Sequence, residues 1–279
     1  MRWTAGDRSN VEDARGGGGV RLAGVGGVGL GGVVLLALLS WATGTNYLSL
    51  LTSSADPSRP AADGGPPATT TPEEERQVDF VDAVMKDVQS TWHTILPRYQ
   101  ATRVVLFRDA IDSTCGLAES ATGPFYCPQD GRVYLDLGFF KELSARFGAP
   151  GDFARAYVIA HEVGHHVQRL MGIDARARDE SVPLELQADC FAGVWGHAAA
   201  RPGRAARGQV ELEPGDVEAG LRAAAAIGDD RLQKMATGRV MPERFTHGTS
   251  AQRVEWFRRG LTSGQPGACD TFSSRAVRN

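Results

Sequence analysis

"VIAHEVGHHVQRL", residues 158–170, sets two histidines four positions apart in a largely apolar run. On an α-helix, positions i and i+4 share one face, so His161 and His165 can reach one ion together. Glu162 is offset by one residue and falls beside that ion rather than on it. A carboxylate there can act as general base toward a water. A hydrolytic metal site of this kind needs a third protein ligand and one open position. Buried helices also carry histidines for packing alone, so the rest of the chain must supply the missing ligand.

It is available in "LELQAD", residues 184–189. Glu185 and Asp189 are again one turn apart on a helix face. Glu185 completes a set of two histidines and one glutamate. Asp189 is then placed to accept a hydrogen bond from the free ring nitrogen of His161 or His165, the usual orienting partner of a metal-bound histidine. An acidic pair at this spacing is ordinarily a solvated helix face. Here it sits in an apolar helix, where polar groups buried without a cation would need other partners. Gly164 costs a helix about 1 kcal/mol relative to Ala, which a close approach of chain or substrate would explain. His166 points about 140° away from the ligand face and is expected to be structural. His93 and His197 are expected to take no part in the chemistry.

The chain has 279 residues, enough for one ordinary domain or two small ones, and its 42% hydrophobic content supports a real core. A net charge of −3 gives no reason to expect a nucleic-acid partner. Residues 22–41, "LAGVGGVGLGGVVLLALLSW", carry no charge and are long enough to span a bilayer as a helix. Arg2, Arg8, Arg15 and Arg21 precede this stretch, and the next basic residue is Arg59. The positive-inside rule then leaves residues 1–21 in the cytoplasm and exports the rest, giving a single-pass protein of the cell membrane. A cleaved signal peptide ending near Ser40-Trp41-Ala42 is the alternative. Residues 42–71, rich in Pro, Ala and Thr, read as a flexible linker. A globular domain over 72–272 and a short tail, 273–279, complete the organisation.

Thr71-Pro72 followed by Glu73, Glu74 and Glu75 is a helix start, and Phe80, Val84, Val88, Trp92 and Ile95 continue at helical spacing. Segments 103–107 and 132–137 read as strands. A helix is expected from about Phe139, another from an Asp152 cap through the histidines, and another over 181–200. Further helical patterns cover roughly 214–237 and 249–262. The fold class is α+β, mainly helical, with a small sheet ahead of the histidine helix and one N-terminal transmembrane helix.

The four cysteines contain no Cys-x-x-Cys pair, which argues against a structural zinc site. In an exported chain two disulfides are expected, whereas four reduced thiols would suit a cytosolic one. Cys115 and Cys127 flank a Gly/Pro-containing loop between the strand candidates. Their pairing leaves Cys190 with Cys269.

"HEVGHHVQ", "ELQADCFAGVW" and "FTHGTSAQRVEWFRRGL", with "MRW", "RSNVEDARG" and "CDTF" at the two ends, resemble the neutral zinc metallopeptidase family of bacteria. The resemblance implies a gluzincin-type site with one Zn²⁺ per chain on His161, His165 and Glu185, Glu162 as catalytic acid/base and Asp189 behind the ligands. His247, in "THGTS", is a candidate catalytic donor to the developing oxyanion or else a loop residue capping the helix from Thr249. The expected function is a membrane-anchored zinc metalloendopeptidase acting on peptides or proteins, attached to the lipid bilayer by its N-terminal helix. The alternatives are a catalytically silent peptide-binding relative and a zinc hydrolase of a non-peptide amide or ester.

Overall fold

The computed structural model describes residues 1–16, 70–119, 123–173 and 181–273. The expected membrane helix at 22–41 and nearly all of the 42–71 linker lie outside them. Among the described residues no helix is long and apolar enough to cross a membrane. The class is mainly helical α+β with small sheets.

Helix α1 (Pro72–Ile95) starts as its sequence dictates. The Thr71 hydroxyl accepts from the Glu74 amide while the Glu74 carboxylate accepts from the Thr71 amide. Its buried face carries Val78, Val81, Val84, Met85, Val88 and Trp92. Strands β1 (Val11–Asp13), β2 (Val104–Phe107), β5 (Phe125–Cys127) and β6 (Arg132–Asp136) form one sheet in the order β1-β2-β6-β5. The first three spatial neighbours run parallel, and β5 is antiparallel to β6. Alternation decides what each face covers. Val104, Leu106, Val133 and Leu135 join the main helical core, while Val105, Phe107 and Tyr134 join a smaller cluster with Ala118 and Cys127. Ala118 belongs to a separate hairpin, β3 (Ala110–Ser113) with β4 (Gly116–Glu119).

Among the described residues six α-helices follow: α2 (Gly138–Ala145), α3 (Asp152–Leu170), α4 (Ser181–Ala199), α5 (Asp216–Ala226), α6 (Asp229–Thr237) and α7 (Ser250–Ser263). The single helical pattern expected over 214–237 is two helices. They break at Gly228, where an added Cβ would lie 2.4 Å from the Ser250 amide nitrogen. Asp152 does not cap α3. Gly151 holds the cap position without a side-chain bond, and Asp152 accepts instead from the Trp3 indole at 3.2 Å.

Close backbone approaches bring the site helices together. A Cβ on Gly164 would stand 3.0 Å from the Ala188 carbonyl oxygen, so α3 and α4 cross at the motif glycine. On α7, a Cβ at Gly260 would be 1.9 Å from the Cys190 carbonyl oxygen, which seats α7 directly on α4. Both expected disulfides are present, Cys115–Cys127 and Cys190–Cys269. The second ties the segment after α7 to the helix carrying Glu185 and Asp189.

Residues 1–21 were expected to stand apart as a cytoplasmic segment. Instead Met1–Arg15 belongs to the same compact unit as the chain from Thr70 onward. Val11 pairs with Val104 and Asp13 with Leu106. Buried Asp82 of α1 accepts from the Arg8 amide (3.1 Å), the Asn10 amide (3.1 Å) and the Asn10 side chain (3.0 Å). Three of the four arginines taken as a topology signal are committed to ion pairs: Arg2 with Glu211, Arg8 with Glu75 and Asp79, and Arg15 with Asp13 and Glu75; Arg21 lies outside the described residues.

Candidate metal centre

His161 and His165 project from one face of α3 toward Glu185 on α4. The Nε2 of His161 is 3.1 Å from Glu185 Oε2, and the Nε2 of His165 is 3.4 Å from Glu185 Oε1. One donor atom from each residue lies within 4.8 Å of the others. Bonds of about 2.0–2.2 Å in tetrahedral geometry put donors roughly 3.3 Å apart, a separation that the two His–Glu contacts match. The chemistry of the set agrees, because two imidazoles and one carboxylate with a fourth direction open is a hydrolytic zinc pattern.

Each histidine is fixed from behind. His161 Nδ1 donates to Asp189 Oδ1 at 2.9 Å, which settles the expected alternative in favour of His161. His165 Nδ1 donates to Gln168 Oε1 at 2.9 Å, and the Gln168 amide donates to the Leu184 carbonyl at 2.7 Å. Both histidines therefore present Nε2 to the cluster. Asp189 is fully buried and held by Arg253 of α7, whose Nε donates to Oδ2 at 2.8 Å and Nη2 to Oδ1 at 2.9 Å. The Tyr157 hydroxyl also donates to Asp189.

The electrostatics favour a cation. Burial alone opposes the charged imidazole of His161. The Asp189 charge and hydrogen bonds to Asp189 and Glu185 outweigh it and raise the pKa to about 10. His165 is raised as well: burial again works against the charged form, and Glu185 prevails. Burial pushes the Glu185 carboxyl up, yet the two histidines hold it well below its ordinary value. Such a cluster favours positive charge at its centre, which a divalent ion would supply. Glu162 behaves differently. Burial raises its pKa, and His161 and His165 offset this only in part. A carboxylate with raised proton affinity beside the ligands is suited to taking up a proton.

These residues lie along a cleft of about 810 Å³. His161, Glu162, His165, Glu185 and Arg253 line it, and so does His247. The loop before α7 places His247: buried Asp229, at the start of α6, accepts from the backbone amides of Thr246 (2.7 Å), His247 (2.6 Å) and Gly248 (3.0 Å). Asp229 also lies 3.2 Å from His247 Nδ1, leaving Nε2 for the cleft. His247 does not cap α7; Thr249 does, through a capping box with Gln252. His166 is structural as expected, with Nε2 donating to the Gln100 carbonyl (2.7 Å) and Nδ1 accepting from the Tyr126 hydroxyl (2.9 Å). His197 ties α4 to the Leu261 carbonyl and His93 is exposed, so neither belongs to the site.

Sequence reading missed Arg253, Gln168, Tyr157 and Asp229. A signal for the first existed. Arg253, Trp256, Phe257 and Gly260 follow helical spacing, so a charge falls on the buried stripe of α7. Such a charge needs a buried partner.

Residues 1–272 match the family model described as "Putative neutral zinc metallopeptidase". The chain is 42% identical over 299 aligned positions to uncharacterized protein YpfJ of Escherichia coli K12, covering 98% of this chain and 99% of the relative. It is 45% identical over 205 positions to uncharacterized protein Rv2575 of Mycobacterium tuberculosis H37Rv, covering 70% of each. No solved structure matches the chain.

Proposed function

The chain belongs to the neutral zinc metallopeptidase family, and from that premise we propose that it is a zinc-dependent endopeptidase with Glu162 as general base. The observation that carries this reading is the meeting of His161, His165 and Glu185 in an open cleft, with Glu162 beside them and not among the donors. Bound zinc would act as a Lewis acid toward a water and a peptide carbonyl. Glu162 takes a proton from the attacking water as oxygen adds to the carbonyl carbon. It returns that proton to the departing nitrogen as the C–N bond breaks. His247, placed beside the cleft by Asp229, is positioned to donate to the developing oxyanion. Asp189, Arg253 and Gln168 keep the ligand rings oriented.

Localisation belongs to the same proposal. Two disulfides suit an oxidising, extracytoplasmic compartment, and the uncharged stretch 22–41 suits attachment to the lipid bilayer. One crossing at 22–41 would part Met1–Arg15 from its own sheet. The proposal therefore departs from a cytoplasmic N-terminus and puts Met1–Arg15 on the side of the catalytic unit.

The test is the Glu185→Ala variant of the full chain beside wild type, assayed for bound zinc and for cleavage of a peptide mixture. Wild type should carry about one zinc and cut peptides; the variant should lose both. Unchanged zinc in the variant would remove Glu185 from the ligand set. Zinc without peptide cleavage in wild type would defeat the peptidase reading.

A further inference from the structure

Beyond the metal cluster, the cleft walls are mostly apolar. Phe139 of α2, Phe147 just after it, Leu232 and Met235 of α6, Phe125 of β5 and Leu184 of α4 all line it. None of the six is fully buried, and Met235 is 51% exposed. Large apolar side chains from five parts of the fold thus converge on one concavity and stay partly in water. Val158, one turn before His161, carries this surface up to the metal cluster.

Outside Glu162 and the metal cluster, the charges on the same lining are matched. Glu142 and Arg146 pair with each other across one helical turn at 3.5 Å. Arg253 is bound to Asp189, and His247 faces Asp229. Away from Glu162 and the metal cluster, the described walls offer no unmatched charge to a charged substrate side chain, and such a side chain would lose its water for nothing in return.

We propose that this cleft selects polypeptide segments with bulky apolar side chains beside the scissile bond. The proposal rests on the peptidase reading and adds the substrate class. A volume of about 810 Å³ has room for several side chains of an extended segment. Met235, on the exposed rim, is a specificity-determining residue.

Two measurements on the full chain test it. A defined peptide mixture is digested and the cut sites are mapped by mass spectrometry. Separately, zinc-loaded Glu162→Gln protein is titrated with labelled peptides differing only in Leu, Phe, Asp or Lys at two central positions. Cuts should cluster beside Leu, Phe and Met, and the Leu and Phe peptides should bind at least about tenfold tighter than the Asp and Lys peptides. Met235→Glu, confirmed folded by circular dichroism, should lose about tenfold in kcat/KM for apolar peptides and gain on Lys peptides. Peptide cleavage without apolar preference, or an unchanged cut-site profile in folded Met235→Glu, would overturn the proposal and leave the peptidase reading standing. Absence of any cleavage would sink that reading instead, while the titration would still decide the apolar preference.

Discussion

The helix pair α3–α4 and the N-terminal segment Met1–Arg15 are held to the same core by different forces. Around the metal cluster the polar contacts are short and buried: His161, Glu162 and Asp189 are shielded from water, and Arg253 is only 2% exposed. In the N-terminal segment most ion pairs are solvated. Arg8 is 38% exposed on its side chain and its partner Glu75 35%, while Arg2 is 56% exposed. Val11 and the flank of Trp3 against Phe80 supply its apolar anchoring. Polar contacts of similar length are therefore worth very different amounts in the two places. A buried pair that loses one partner strands a charge, whereas an exposed pair mostly exchanges one solvated state for another.

The largest expected effect follows from that contrast. Arg253→Ala removes the guanidinium from fully buried Asp189 and leaves it only His161 and Tyr157, which should cost about 3 kcal/mol in chemical denaturation. Zinc affinity should fall roughly 10–100-fold through the loosened His161. A loss below 1 kcal/mol would mean that the buried pair is no more valuable than a surface one.

Removing residues 1–15 should come next, at about 2–4 kcal/mol from the lost burial of Val11 and Trp3 and the lost strand pairing. The folded fraction should still bind zinc, since none of the donors lies there. A chain lacking residues 1–15 with undiminished stability would show that β1 is dispensable and would weaken the same-side topology.

The smallest effects should be electrostatic and confined to the N-terminal segment. Arg8→Ala should cost under about 1 kcal/mol, and less still in high salt. Acid should act in the same place. Hydrogen bonds from Arg8 and then Arg15 lower the Glu75 pKa, and Arg15, opposed by burial, lowers that of Asp13. Folded values below the ordinary 4.5 and 3.8 mean that this stabilisation is complete above those values and lost as pH falls through the lowered ones. Hydrogen exchange should therefore show β1 opening on acidification from about pH 5. Uniform protection across β1 and β2 down to pH 3 would contradict the contrast.

The same contrast explains what the sequence disclosed. His161, Glu162 and His165, then Glu185 and Asp189, lie on two long helices with their own periodicity, so one-turn spacing placed each set on a face. Thr71 announced its helix through local capping chemistry, whereas the Thr249 cap of α7 was not read and His247 was considered in its place. The two disulfides followed from loop closure and elimination. By contrast, β1 is three residues long and pairs parallel with a strand more than 90 positions away. Nothing local marks such a partner, and its arginines read equally well as a membrane-topology signal. Arg253 lies 64 residues from Asp189 and reaches it only because Gly260 lets α7 sit on α4. Gly164 was legible as a cost that a close approach of chain or substrate would explain, and the Ala188 backbone lies against it.

The central claim is that the α3–α4 cluster holds zinc for hydrolysis and that Glu162 moves the proton without binding the metal. The most direct measurement is zinc content and peptide cleavage in full-length Glu162→Gln, a substitution that keeps the side chain's size and removes its basicity. The variant should retain about one zinc per chain, keep the wild-type melting temperature within a few degrees, and lose cleavage by at least about a hundredfold. A zinc-loaded variant that cuts peptides at the wild-type rate would contradict the account.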